Sequence, residues 1–310
     1  MRLLTLLIAL FLLGCPTDPG DGFPPADDDD AVGDDDDDDG PPEGWQAIGA
    51  GDFHTCAIDA AGELICWGWD WFGQAEPPAG EFEWVGAGWS HTCALGTDGT
   101  VSCFGVEPNS DQGQSDPPDG TYAQLAVGSH HNCAMNAAGD DVDCWGQAFE
   151  GQLVVPDRTW QKLDGAKFST CGLDVDGELV CWGQDQAGET MPPAGTWTDF
   201  SVGEASGCAL DEEGALTCWG LVTEAEPPPT GAWGEVACGK GHCCALGDGG
   251  RVECWGNPEA GLTLPPDVDL RELACGSKHC CGIDFGGMPI CWGANEEAEG
   301  SYVGQATPPI

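Results

Sequence analysis

From residue 44 onward, apolar and polar positions alternate in short bursts, and the same bursts return at intervals of about 37 residues. The first unit shows the pattern well: Trp45-Gln-Ala-Ile48-Gly-Ala-Gly51, then His54-Thr-Cys56-Ala-Ile58, a turn at Asp59 to Gly62, and Leu64-Ile-Cys66-Trp67-Gly68. Alternation with period two, bounded by Gly and Asp, predicts three short strands per unit, with an Asp-x-x-Gly hairpin that needs positive φ at Gly. A fourth, weaker segment ends in Gly73-Gln74 and Pro77-Pro78, with echoes at Gly113-Gln114, Gly151-Gln152 and Gly304-Gln305. Proline there suits an edge or a connection rather than an inner strand.

Seven such units follow one another, each with two cysteines: Cys56 and Cys66, Cys93 and Cys103, Cys133 and Cys144, Cys171 and Cys181, Cys208 and Cys218, Cys244 and Cys254, and Cys281 and Cys291. His-Thr-Cys-Ala-Leu at 91 to 95, the Asp-x-x-Gly turns, Cys-Trp-Gly at 66 to 68, 144 to 146, 181 to 183, 218 to 220, 254 to 256 and 291 to 293, and the Gly-Gln positions resemble the repeats of the regulator of chromosome condensation family. The resemblance covers about residues 44 to 310 and implies an all-β, seven-bladed β-propeller. Radial repetition also leaves no long unprotected sheet edge. A β-solenoid is the alternative, disfavoured because neither end shows a polar capping repeat. Trp67, Trp145, Trp182, Trp219, Trp255 and Trp292, with Phe104 in the second unit, share one position and are expected to pack between blades; Trp45, Trp84, Trp160, Trp197 and Trp233 open their units similarly.

Before the repeats, Arg2, an apolar run from Leu3 to Leu13, Gly14 and Cys15 read as an export signal. Leu12-Leu13-Gly14-Cys15 resembles the bacterial lipobox, so residues 1–14 are expected to be removed and Cys15 lipidated. Residues 15–43, with Asp27 to Asp30 and Asp34 to Asp39, are too polar and too like-charged to fold, and are expected to tether the domain at 44–310. The Asp ladder lacks the alternation and distal Glu of an ordered calcium loop.

With 54 acidic against 8 basic residues and a net charge of -46, the chain repels phosphate backbones, and nucleic acid is excluded as a partner. Setting Cys15 aside leaves 18 cysteines, an even number in an exported chain, which favours disulfides. The two cysteines of each unit flank the hairpin turn and should face each other across adjacent strands. Cys238 with Cys243, and Cys275 with Cys280, stand where the first two units have Ala50 with Thr55 and Ala87 with Thr92. Joint replacement implies contact, giving nine disulfides. His242-Cys243-Cys244 and His279-Cys280-Cys281 put soft ligands side by side, but each cysteine already has a partner, so no metal and no cofactor is expected.

No nucleophile motif, phosphate loop or zincin helix occurs, and the chain is expected not to be an enzyme. The histidines at 54, 91, 131, 242 and 279 share one repeat position, where Ser169 and Ser206 stand in units four and five. A general base is needed once rather than five times around a ring, so their role reads as structural. Function should lie where units depart from the pattern. The first unit carries Trp69-Asp70-Trp71-Phe72 where the fourth has Gln184-Asp185-Gln186-Ala187. Trp89 replaces the Asp52, Ser129 and Glu204 of other units, and an insertion lies around Val106 to Asp111. Trp69, Trp71, Phe72 and Trp89 are the candidate binding residues, with packing over the rim as the alternative. Lys167, Lys240 and Lys278 offer local charge relief. The resemblance implies a protein-binding scaffold, here expected to be a monomer tethered to a bacterial envelope, at an outer membrane or surface; glycan binding or processing through the tryptophans is the second expectation.

Overall fold

In the computed structural model, residues 44–221, 227–258, 262–295 and 304–309 are described. The export signal, Cys15 and the acidic tether lie outside the described residues. No helix among the described residues is long and apolar enough to cross a membrane.

Among the described residues, twenty-one strands form seven separate sheets, each an antiparallel meander of three consecutive strands. In the first, β1 (Ala47–Ala50), β2 (His54–Ile58) and β3 (Leu64–Gly68) pair in that order. The sequence builds these strands for the reason the alternation gave: Ile58 pairs with Leu64 across a turn in which the Asp59 carboxylate accepts the backbone N–H groups of Ala61 and Glu63, and Gly62 takes φ +82°. The fourth segment is not a strand. It is a turn whose main chain binds the next blade: the Gln114 carbonyl accepts Nε1–H of Trp145 and Nδ2–H of Asn132, and the Gln152 carbonyl accepts Nε1–H of Trp182.

Each sheet buries its faces against its two neighbours, so the core is seven clusters rather than one. Trp145 packs between blades two and three, Trp182 between three and four, Trp219 between four and five. The ring closes where Trp45, Ile48, Ala57 and Trp67 of the first blade meet Cys281 and Ile283 of the seventh. Phe104 is only partly buried but packs in the cluster of blades one and two, as its position predicts. Trp84 does not open its unit. Phe82 fills that position, and Trp84 stands at the place of Lys162, Glu235 and Glu272, lining the central cavity and packing against the cluster of blades two and three.

Nine disulfides join the nine expected pairs. Seven staple the hairpin of the second and third strands, one in each blade: Cys56 with Cys66, Cys93 with Cys103, Cys133 with Cys144, Cys171 with Cys181, Cys208 with Cys218, Cys244 with Cys254 and Cys281 with Cys291. Cys238 with Cys243, and Cys275 with Cys280, join the first and second strands of blades six and seven. Every pair sits directly opposite in the ladder register, where side chains come closest. The third-strand partners Cys66, Cys103, Cys144, Cys181, Cys218, Cys254 and Cys291 are less deeply buried than their second-strand mates, because the third strand lies on the outer side of its sheet.

The inner strands converge so closely that side chains are forbidden at some positions. A Cβ at Gly276 would lie 1.9 Å from the Gly51 carbonyl oxygen, which explains glycine there.

Candidate functional site

The seven innermost strands surround a central cavity of about 300 Å3. Because they do not pair with one another, their backbone donors need other partners, and side chains from the neighbouring blade supply several. Glu272 accepts Ile48 N–H (3.0 Å), Gln124 accepts Leu163 N–H (2.8 Å), Asp164 accepts Val202 N–H (2.9 Å) and Glu235 accepts Leu273 N–H (3.3 Å). Burial, reinforced by Glu272 and Asp199, pushes the Glu235 carboxyl up to about 7; burial also raises Glu272 and Asp164.

At one mouth the loop joining first to second strand places Asp52, Ser129, Lys167, Glu204, Lys240 and Ser277 around the cavity, with Trp89 at the equivalent position of the second blade. Glu204 pairs with both Lys167 and Lys240, the latter at 2.9 Å. Burial and the Glu204 charge push the half-buried Asp52 up to about 6, whereas Glu204, despite its burial, is held low by the two lysines. Thus the lysines read from sequence as charge relief do face a carboxylate. Lys278 lies in the equivalent loop of the seventh blade.

All four candidate binding residues meet on this face. Trp69 is the hub: its ring lies 5.8 Å from Trp71, 5.3 Å from Phe72, 5.7 Å from Trp89 and 5.7 Å from Phe53. Trp69 is 6% exposed and supports the cluster, whereas Trp71 is 70% exposed. The arc continues through Trp89 stacked on His130 (5.2 Å) and His130 stacked on Phe168 (6.0 Å), with the Lys167 ammonium 5.4 Å above the Phe168 ring. It therefore spans four blades. Phe53, His130 and Phe168 were not among the candidates, although the signal existed: all three immediately precede the His/Ser position of their units, one residue after the position of Trp89.

The same face carries further apolar exposure. The connections leaving the third strands hold Phe149, Val154, Met191, Leu221 and Leu264, all markedly exposed. Main-chain bonds tie those connections to the first-to-second-strand loops, as Gln147 N–H to the His130 carbonyl and Leu221 N–H to the Ala205 carbonyl, fixing them on one side of the ring.

The five repeated histidines are all buried and lie apart from this surface. Four of them bond the next blade: His54 to Thr92 (2.7 Å), His91 to Asn132 (2.8 Å), His131 to Thr170 (2.8 Å) and His279 to Thr55 (2.7 Å). Their tautomer follows from the partners. Thr92 and Thr55 donate their hydroxyl hydrogens to the Gln74 and Gln305 carbonyls, so the imidazole must donate through Nε2–H.

Three segments match the regulator of chromosome condensation (RCC1) repeat: residues 45–74, 85–114 and 235–261. These segments lie in the first, second and sixth blades. Among solved structures, the ectodomain of the Physcomitrella patens receptor kinase CR4 superposes with a TM-score of 0.68 at 24% identity, over 81% of this chain and 74% of that one. The CRINKLY WD40 ectodomain of the Arabidopsis thaliana receptor kinase ACR4 gives 0.68 at 21% identity, over 84% and 98%. Human WBSCR16 gives 0.65 at 15% identity, over 76% and 85%. These likenesses show the fold. No curated protein matches the chain.

Proposed function

We propose that the chain is a non-catalytic recognition scaffold whose protein partner docks on the face bearing Trp71, Trp89 and the exposed apolar residues around them. One observation carries this reading: an aromatic arc continuous over four blades, bordered on the same side by Phe149, Met191, Leu221 and Leu264. Apolar exposure spread over so much of one face fits a macromolecular surface better than a small-molecule pocket. Nine disulfides fit an oxidising, extracytoplasmic compartment. The Leu3 to Leu13 run ending in Gly14-Cys15 supports a lipid anchor at a bacterial envelope, with the acidic segment as its tether. The scaffold acts as a monomer.

A second reading, glycan binding, is favoured by the adjacency of stacked rings to the Lys167–Glu204–Lys240 cluster, where sugar faces and hydroxyls would both find partners. Capture from the native envelope separates the two. Wild type should retain one protein that Trp71→Ala/Trp89→Ala loses; retention of polysaccharide alone moves the glycan reading forward, and equal capture by both forms removes this face. Trp69 is kept intact in the variant because it is buried and supports the cluster.

A further inference from the structure

At one blade interface the histidine latch meets sulfur instead of oxygen. In the sixth blade His242 occupies the usual position, but its Nε2 meets Cys280 Sγ at 3.3 Å, where His54, His131 and His279 meet a threonine hydroxyl. Cys280 is bonded to Cys275, and one imidazole nitrogen of His242 and the two sulfurs of Cys275 and Cys280 all lie within 4.8 Å of one another. Bonds of about 2.0 Å to nitrogen and 2.3 Å to sulfur around a tetrahedral zinc place such atoms roughly 3.5 to 3.8 Å apart, so small side-chain rotations suffice once the sulfurs separate. Cys280 and His242 are fully buried, while Cys275 is half-buried and lines the central cavity.

We propose that reduction of the Cys275–Cys280 disulfide converts this blade interface into a binding site for zinc or a similar soft divalent ion, held by two thiolates and the His242 imidazole. Electrons and protons balance: a dithiol reductant gives two electrons and two protons and becomes a disulfide, the Cys275–Cys280 bond breaks into two thiols, and both thiols release their protons as the ion binds. The fourth coordination position faces the cavity side, next to Cys275. The neighbouring interface is a built-in contrast. There Cys208, Cys238 and Cys243 also converge, but Ser206 stands where His242 would be and Cys208 remains bonded to Cys218, so opening Cys238–Cys243 leaves no nitrogen ligand. In the disulfide form neither site takes metal.

The test titrates the folded chain with a phosphine reductant, follows each cysteine pair by differential alkylation and mass spectrometry, and adds Co(II) as an optical substitute for zinc. One Co(II) per chain, with thiolate charge-transfer absorption rising in step with opening of Cys275–Cys280, is expected. His242→Ser, copying the fifth blade, should weaken binding more than about 100-fold, beyond the effect of losing a merely supporting partner. Cys275→Ala/Cys280→Thr copies Ala50 and Thr55 of the first blade, restores an oxygen partner for His242, and should fold with eight disulfides yet bind no Co(II). An opened pair without Co(II), a pair that opens only when the chain unfolds, or binding retained in the double variant would overturn the proposal.

Discussion

His279 of the seventh blade places Nε2 2.7 Å from Thr55 Oγ1 of the first, and Thr55 passes its own hydrogen to the Gln305 carbonyl at 2.9 Å. That carbonyl also accepts Trp67 Nε1–H at 3.0 Å. The last residues of the described chain thus bind the first blade, so the latch that joins neighbouring blades elsewhere also closes the ring. Thr55→Val keeps the shape and leaves a buried imidazole N–H without an acceptor. A loss of about 1 to 3 kcal/mol in urea unfolding is expected, with His279→Ser milder, since it removes the donor as well.

Burial holds His54, His131 and His279 near 3 and His91 and His242 near 4, well below the ordinary value of 6.5. The unfolded chain takes up protons on these rings below about 6.5 while the native chain does not. Their contribution to stability is therefore complete above that pH and is lost as pH falls toward 3. The stability that wild type holds over a His54→Ser variant in urea unfolding should shrink from pH 7 to pH 4; a difference that grows over that range would contradict the neutral imidazole.

Glu235 acts in the opposite sense. Its carboxyl sits near 7 in the fold, above the ordinary 4.5, so the native state binds its proton first and gains stability as pH falls through that window. Glu235→Gln keeps the acceptor for Leu273 N–H and removes the buried charge. The variant should be more stable than wild type at pH 8 by about 1 to 2 kcal/mol and near wild type at pH 5, as read by urea midpoints.

Each hairpin disulfide closes a loop of 10 or 11 residues, and the two others loops of 5. Chain entropy predicts a loss of about 3 kcal/mol for Cys56→Ala/Cys66→Ala and about 2 kcal/mol for Cys238→Ala/Cys243→Ala, before any cavity cost. Denaturant unfolding of the two double variants checks the order.

Trp69 and Trp71 separate support from contact. Trp69→Ala empties the hub of five packed rings and should cost about 3 kcal/mol or more, whereas Trp71→Ala, with its ring mostly in solvent, should leave the thermal midpoint within a degree or two of wild type.

The strands, the nine cysteine pairs and the tryptophan packing were legible because each rests on the register of a repeat, and register survives translation into three dimensions. Trp84 was misaligned, although the sequence held the signal: it stands 9 residues before Cys93, whereas Trp45, Trp160, Trp197 and Trp233 stand 11 before Cys56, Cys171, Cys208 and Cys244. Nor could alternation tell Trp69 from Trp71: both lie in an irregular connection two residues apart, and Trp69 is enclosed by Phe72 together with Phe53 and Trp89 from the adjoining loops. The face itself came into view only when the loops of four blades were brought side by side, since Phe53, His130 and Phe168 are single residues in separate units. The fourth segment, which proline left open between an edge and a connection, is a connection whose carbonyls accept the Trp and Thr side chains of the next blade.

The most direct test of the recognition face places a photo-activated cross-linking residue at position 71, at Met191 or at Leu264, and compares each with Val175, which is exposed at the hairpin-turn end of the fourth blade. In the native envelope, positions 71, 191 and 264 should give one and the same protein adduct and position 175 none. An adduct formed only from position 175, or equally from all four, would contradict a docking surface built on the aromatic face.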